Sequence, residues 1–276
     1  MRLKIEHETI YHYGSPVIHS LQLLRLTPRS DRRQRVLRWR LNLPTEAMEH
    51  VDAYGNISHL LTMEGPHQDI HIGVEGVADT SEREGEPDAE FGGVSPQVFL
   101  RETPLTAVDD CVRNFALGGS EDIASQPISA LVELTERIQE AVRYGKGTTE
   151  VQTTAAEVLS QGSGVCQDHS HLFIACCKAL GVPARYVSGY FHSGHDAEQE
   201  IAMHAWAEAW IEGQGWLSYD ISNAYPEGAA HLRLAVGRDY LDTCPVRGVR
   251  YGGGHERMQV RVQVMAAQRQ QEQQQQ

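Results

Sequence analysis

Gly162-Ser163-Gly164-Val165-Cys166-Gln167-Asp168 runs from a glycine-rich turn straight into an apolar helical stretch, His169 to Leu180. A thiol at this point meets the unpaired amides and the positive end of the helix, a setting that favours the thiolate. The same free amides can donate to a developing oxyanion, and Gly162 and Gly164 are read as leaving room for a substrate backbone. Downstream lie His204, in His204-Ala205-Trp206-Ala207-Glu208, and Asp220, closing Gly215-Trp216-Leu217-Ser218-Tyr219-Asp220. A Cys, a His and an Asp in that order, each at the edge of a readable element, suggest a nucleophile, its base and an orienting carboxylate.

The elements around these residues can be read from periodicity. Pro127 opens a helix whose Leu131, Leu134, Ile138 and Val142 fall on one face before Gly145. Thr154-Ala155-Ala156-Glu157 fits a capping box, and the short helix it starts stops near Gly162. In the cysteine helix Leu172, Phe173, Cys176, Ala179 and Leu180 form the buried stripe, and Gly181 and Pro183 end it. Residues 184–191 then read as a strand, and 203–211 with 216–221 as a hairpin around Glu212-Gly213-Gln214-Gly215. On that hairpin His204, Trp206, Glu208 and Trp210 share one face, and Ala205, Ala207, Ala209 and Ile211 the other. Pairing Trp210 with Trp216 sets His204 opposite Ser222 and makes Asp220 its diagonal neighbour, ~7–8 Å away at the backbone. A one-residue slip would put the two on opposite faces.

The first 80 residues read as β-structure. Leu3, Ile5 and His7 alternate with polar neighbours, residues 36–43 form another strand, and turn signals such as Tyr13-Gly14-Ser15-Pro16 and Asp52-Ala53-Tyr54-Gly55-Asn56 separate the strands. The organisation expected is a small β-sandwich or barrel over 1–80, a linker with a short helix (108–115) over 81–125, a catalytic core over 126–266 that ends in a strand at 258–264, and a disordered glutamine-rich tail over 267–276. The fold class is α+β. Hydrophobic residues make up 41% and charged residues 22% of 276, an ordinary globular balance. A net charge of -13 argues against nucleic acid as a partner, and the basic stretch Arg29 to Arg40 reads as a solvent face. No apolar run suits a membrane span or a signal peptide, so a cytoplasmic location is expected. Five cysteines without a pairing pattern read as reduced thiols.

Other residues near these elements also carry reactive groups. Cys166, His169, Cys176 and Cys177 lie at offsets that diverge along one helix, so no closed zinc site is expected. No metal and no cofactor are called for. Cys176 and Cys177 read as core residues and Asp168 as a helix cap. Glu208 is a candidate to tune the site or bind substrate, Trp206 a candidate cleft wall, and Asn223 a substitute for Asp220 as orienting group.

Tyr144-Gly145-Lys146-Gly147-Thr148-Thr149, Gly164-Val165-Cys166-Gln167-Asp168, Gly181-Val182-Pro183-Ala184-Arg185-Tyr186-Val187-Ser188-Gly189-Tyr190, His204-Ala205-Trp206-Ala207-Glu208 and Gly215-Trp216 together resemble the transglutaminase-like superfamily. Val236-Gly237-Arg238-Asp239-Tyr240 and Pro245-Val246-Arg247-Gly248 extend the likeness toward the C-terminus, and the bacterial members with a β-rich N-terminal domain fit best. The resemblance implies a papain-like core with catalytic Cys166, His204 and Asp220, attacking a carboxamide or peptide carbonyl to form a thioester. Where that family follows the aspartate with Pro-Thr-Asn, this chain has Ile221-Ser222-Asn223. The expected activity is hydrolysis, as a cysteine peptidase or amidase on a protein or peptide substrate. Protein cross-linking by amine transfer and a non-catalytic binding module are the alternatives.

Overall fold

Strand alternation begins at Leu3 and holds for far longer than the turn signals suggest. The computed structural model describes residues 1–81, 93–118, 123–194, 203–223 and 228–267. Its first strand, β1, covers Arg2–Thr27 and is followed by β2 (Gln34–Asn42), β3 (Ala47–Val51) and β4 (Ile57–Thr80). Odd-numbered residues of β1 are buried from Leu3 to Tyr13, and even-numbered ones from Ser20 to Leu26. The change of face falls at a register shift between Val17 and His19. Tyr13-Gly14-Ser15-Pro16 thus marks an irregularity within one long strand instead of a break between two; an extra residue inverts which side chains point inward.

Helices follow: α1 (Asp110–Leu117), α2 (Pro127–Ala141), α3 (Ala155–Gln161) and α4 (Cys166–Ala179), with the two-residue strands β5 (Arg143–Tyr144) and β6 (Ser163–Gly164) between them. The expected capping box is present at Thr154 and Glu157. Then come β7 (Ala184–Phe191), β8 (His204–Ile211), β9 (Gly215–Tyr219), β10 (His231–Gly237), α5 (Tyr240–Thr243), β11 (Val246–Gly252) and β12 (Glu256–Ala266). The second sheet is antiparallel in the order β10-β7-β8-β9. Ala205, Ala207, Ala209 and Ile211 share a core with Leu172, Phe173, Cys176 and Cys177 of α4, as the small side chains of that face require for close helix–sheet packing.

The chain then returns to where it began. β11 and β12 both pair with β1 in the six-stranded N-terminal sheet. The stretch read as the end of the catalytic core, 246–266, is therefore sheet partner to the N-terminal strand; its alternation gave the strand but not the partner. β4 runs to Thr80, the last residue read as N-terminal domain, while residues 82–92 and the glutamine-rich tail from 268 lie outside the described residues.

The N-terminal sheet and the core sheet are joined by polar contacts as well as by packing. Tyr190, Leu232 and Leu234 belong to the same apolar cluster as Leu3, Ile5 and Ile72. β10 is an edge strand, and its free backbone groups are met by side-chain amides. The Gln34 amide donates to the Arg233 carbonyl and accepts from its N–H, both at 2.8 Å. Asn56 makes the same reciprocal pair with Val236, again at 2.8 Å. Two carboxamides thus substitute for a strand along this edge.

Candidate active site

Cys166 is the first residue of α4, and three local features fix it there. Gly162 ends α3 with φ at 66°, a left-handed cap conformation that suits glycine. Gly145 then donates to the Gly164 carbonyl at 2.8 Å, holding the approach to the helix. The Asp168 carboxylate accepts from the Val165 N–H and from the Thr149 hydroxyl, each at 2.7 Å. A Cβ on Gly164 would fall 2.7 Å from the Asp168 Cβ. Glycine is therefore required at 164 by the folded-back cap, which corrects the expectation that it clears space for substrate. Burial pushes the Asp168 carboxyl up, against the hydrogen bonds from Val165 and Thr149. Cys166 is half-buried, whereas Cys176 and Cys177 are sealed in the core. Burial pushes the Cys176 thiol up to about 12 and holds Cys177 well above the ordinary thiol value.

The hairpin register is the one the sequence suggests, with Trp210 opposite Trp216. His204 Nε2 lies 2.8 Å from Asp220 Oδ2. Cys166 acts on the same ring, raising its proton affinity together with Asp220. With Nε2 engaged by the carboxylate, Nδ1 is the ring nitrogen available for proton exchange. Burial opposes a charge on His204, but the hydrogen bonds and charges of Asp220 and Cys166 outweigh it, and the imidazole is raised to about 10. Burial likewise opposes the Asp220 carboxylate, yet its bonds to two histidines hold it well below the ordinary carboxylate range.

The second histidine is His231, on β10, which sequence reasoning missed. Its Nε2 sits 2.8 Å from the same Asp220 Oδ2, and its Nδ1 accepts from the Gly228 N–H at 3.3 Å. Phe191 packs against both imidazoles, at 5.1 Å from His204 and 4.6 Å from His231. Asn223 donates its side-chain amide to Asp220 Oδ2 at 2.7 Å and its backbone N–H to Oδ1 at 3.3 Å. It therefore supports the aspartate instead of replacing it. No sequence signal places His231 beside Asp220, because β10 reaches the site only through the sheet order.

Two other candidates are buried instead of open to substrate. Glu208 is buried between Arg185, at 2.5 Å, and Arg233, at 2.7 Å, and Arg233 continues to Asp31 at 2.6 Å. It holds the sheet to the N-terminal domain instead of facing substrate. Trp206 is fully buried and packs with Val187 and Val236, so it forms no cleft wall. Arg33, expected on a solvent face, turns inward to Ser218 at 3.0 Å and to the Trp216 carbonyl at 3.2 Å, whereas Arg32, Arg35, Arg38 and Arg40 are exposed. Among the described residues His204, Asp220 and His231 form a group whose ligand atoms lie within 4.8 Å of one another. The hydrogen bonds already joining them would have to be displaced by an ion, which makes the trio a hydrogen-bonded relay in the first place.

Comparison with known proteins agrees with this architecture. The bacterial transglutaminase-like N-terminal region matches residues 3–79, and the transglutaminase-like superfamily core matches residues 119–221. Uncharacterized protein ML0607 of Mycobacterium leprae is 31% identical over 95% of this chain and 98% of its own length. Uncharacterized protein Mb2599c of Mycobacterium bovis is 32% identical over 91% of this chain and 88% of its own. The crystal structure of a "Putative Cysteine Protease" from Cytophaga hutchinsonii shares the fold at a TM-score of 0.73 and 23% identity, covering 97% of this chain and 92% of that one. The N-terminal sheet, the cysteine-headed helix on an antiparallel sheet and these relatives lead to one assignment: the chain belongs to the transglutaminase-like superfamily, with the bacterial transglutaminase-like N-terminal region.

Proposed function

We propose that this protein is a thiol-dependent acyl-transfer enzyme in which Cys166 is the nucleophile, His204 the general base and acid, and Asp220 the orienting carboxylate. What supports this reading is the 2.8 Å contact of His204 with Asp220 together with the action of Cys166 on the same imidazole. The thiol proton passes to His204, and the sulfur attacks a carboxamide or peptide carbonyl. The resulting oxyanion faces the Cys166 and Gln167 N–H groups at the head of α4, which precede the first helical bonds, from Asp168 and His169 to the Val165 carbonyl. The C–N bond breaks as His204 protonates the departing amine, leaving a thioester on Cys166. His204 then takes a proton from water, hydroxide adds to the thioester, and the carboxylic acid leaves as the thiolate is restored.

Hydrolysis is the favoured outcome because water as acceptor needs no second binding site. Amine transfer is the second reading. It is favoured by a 103-residue stretch, a third of this chain, that is 31% identical to 15% of the protein-glutamine gamma-glutamyltransferase of Pseudomonas aeruginosa. Incubating the protein with a glutamine-containing peptide library, with and without a primary amine, tests both. Release of free acid that is lost in Cys166→Ala supports hydrolysis. Amine found in the product supports transfer, and no Cys166-dependent product of either kind overturns the proposal.

A further inference from the structure

The carboxylate of Asp220 receives more donors than its partnership with His204 needs, and the extra imidazole sits on a different strand. His231 starts β10, lies opposite Phe191 of β7, and is buried. Its ring is held on three sides: Phe191 at 4.6 Å, Trp206 edge-on at 5.1 Å, and the Gly228 N–H on Nδ1. A ring that accepts at Nδ1 is the neutral tautomer carrying its proton on Nε2, which is the atom aimed at Asp220 Oδ2. The strand that carries it is fixed in turn by the Gln34 and Asn56 amides of the N-terminal domain.

We propose that His231 is a positioning residue: it donates to Asp220 and fixes the carboxylate in the pose that holds the His204 imidazolium against Cys166. This deepens the acyl-transfer reading and rests on it. The groups facing Asp220 are His204 from β8, His231 from β10, Asn223 beyond β9, and, acting through charge, His169 of α4 and Tyr144 of β5. His169 is already occupied by Ser222 at 3.1 Å and the Val142 carbonyl at 2.9 Å. Besides His204, the side chains that donate to the carboxylate among the described residues are His231 and Asn223. Without the His231 donor the carboxylate is freer to turn and is protonated more readily, so the imidazolium loses its counter-charge and the thiolate its partner.

The test compares the wild type with His231→Phe, which keeps a ring against Phe191 and Trp206 but no donor, and with His231→Gln, which restores an N–H. The readout is the iodoacetamide labelling rate of Cys166, followed by mass spectrometry across the acid-to-neutral range, beside the melting temperature. In His231→Phe we expect labelling at mildly acid pH to fall ~10- to 100-fold, with its acid limb displaced upward, and in His231→Gln most of the rate to return. An unchanged profile in His231→Phe, with an activated Cys166 in the wild type, overturns the His231 role and leaves the acyl-transfer reading standing. A wild-type Cys166 no faster than an exposed thiol overturns both. Should the variants fail to fold, nitrogen NMR of the wild-type histidines decides: protonation of His231 at Nε2 supports the role, and protonation at Nδ1 overturns it.

Discussion

The sulfur of Cys166 differs from the chain's other four thiols in what surrounds it. Cys176 and Cys177 are sealed among apolar side chains, Cys244 is buried against Tyr240, and Cys111 is exposed on α1. Cys166 alone heads α4 beside a charged imidazole. Iodoacetamide at mildly acid pH should therefore modify Cys166 well before the more accessible Cys111, and leave Cys176 and Cys177 untouched in the folded protein. Peptide mapping after short exposures checks the order, and Cys111 leading would remove the case for activation. Asp220→Asn should lower turnover by ~10⁴ in the protein that still folds, because an amide can leave the imidazole in the wrong tautomer. A steady-state assay with any substrate found by the library screen reads this directly. The pair also gives a pH signature. His204 is raised above its unfolded value, so its contribution to stability is fully present below the ordinary imidazole value of 6.5 and is lost as pH rises toward about 10. Asp220 is depressed, so its share is present above the ordinary carboxylate value of 3.8 and is lost only in strong acid. The stability gap between wild type and His204→Gln, from urea unfolding, should narrow from pH 6.5 to about 10. A gap that widens over that interval would contradict the charge assignment.

At the scale of elements, the entrance to α4 is a joint with little slack. Gly164→Ala drives a methyl into the Asp168 Cβ, and the clash sits on the cap that orients Cys166. The expected cost is ~1–3 kcal/mol in urea unfolding, with slower Cys166 labelling as the helix end shifts. Labelling at the wild-type rate would show that the cap relaxes without moving the sulfur. This joint also shows what a sequence can disclose. The capping box at Thr154, the run from Ala184 to Phe191 and the Trp210–Trp216 register were legible because each is set by neighbours a few residues apart. Cys166, His204 and Asp220 were legible because they sit at the ends of such local elements. His231 was not: its pairing with Phe191 spans forty residues, and no periodicity encodes sheet order. Asp168 was read as a cap, yet its demand for glycine at 164 depends on a side chain folding back by four residues, which only coordinates display. Glu208 looked available to substrate because alternation gives its face but not the two arginines that cover it.

Across the whole molecule, the N-terminal domain and the core are not independent lobes. β11 and β12 close the chain back onto β1, so the first and last strands of the described structure share one sheet. Asp31, Arg33 and Gln34 reach the core at Arg233 and Ser218, and Tyr54 donates to Asp242 at 2.9 Å. Separating these parts would strip the buried Arg233 of Asp31 and expose Leu232, Leu234 and Tyr190. Removing one partner from a buried ion cluster costs ~3–5 kcal/mol, a large share of the stability of one domain. The protein should accordingly unfold in a single transition, with tryptophan fluorescence and far-ultraviolet circular dichroism superimposing. Replacing Gln34 and Asn56 together by Leu leaves the Arg233 and Val236 backbone groups without their amide partners. The unfolding midpoint should then fall, and Cys166 labelling should slow in the fraction still folded, because β10 carries His231 to Asp220. Two separate transitions in the wild type, or a double variant of unaltered midpoint and labelling rate, would show the domains to be merely adjacent.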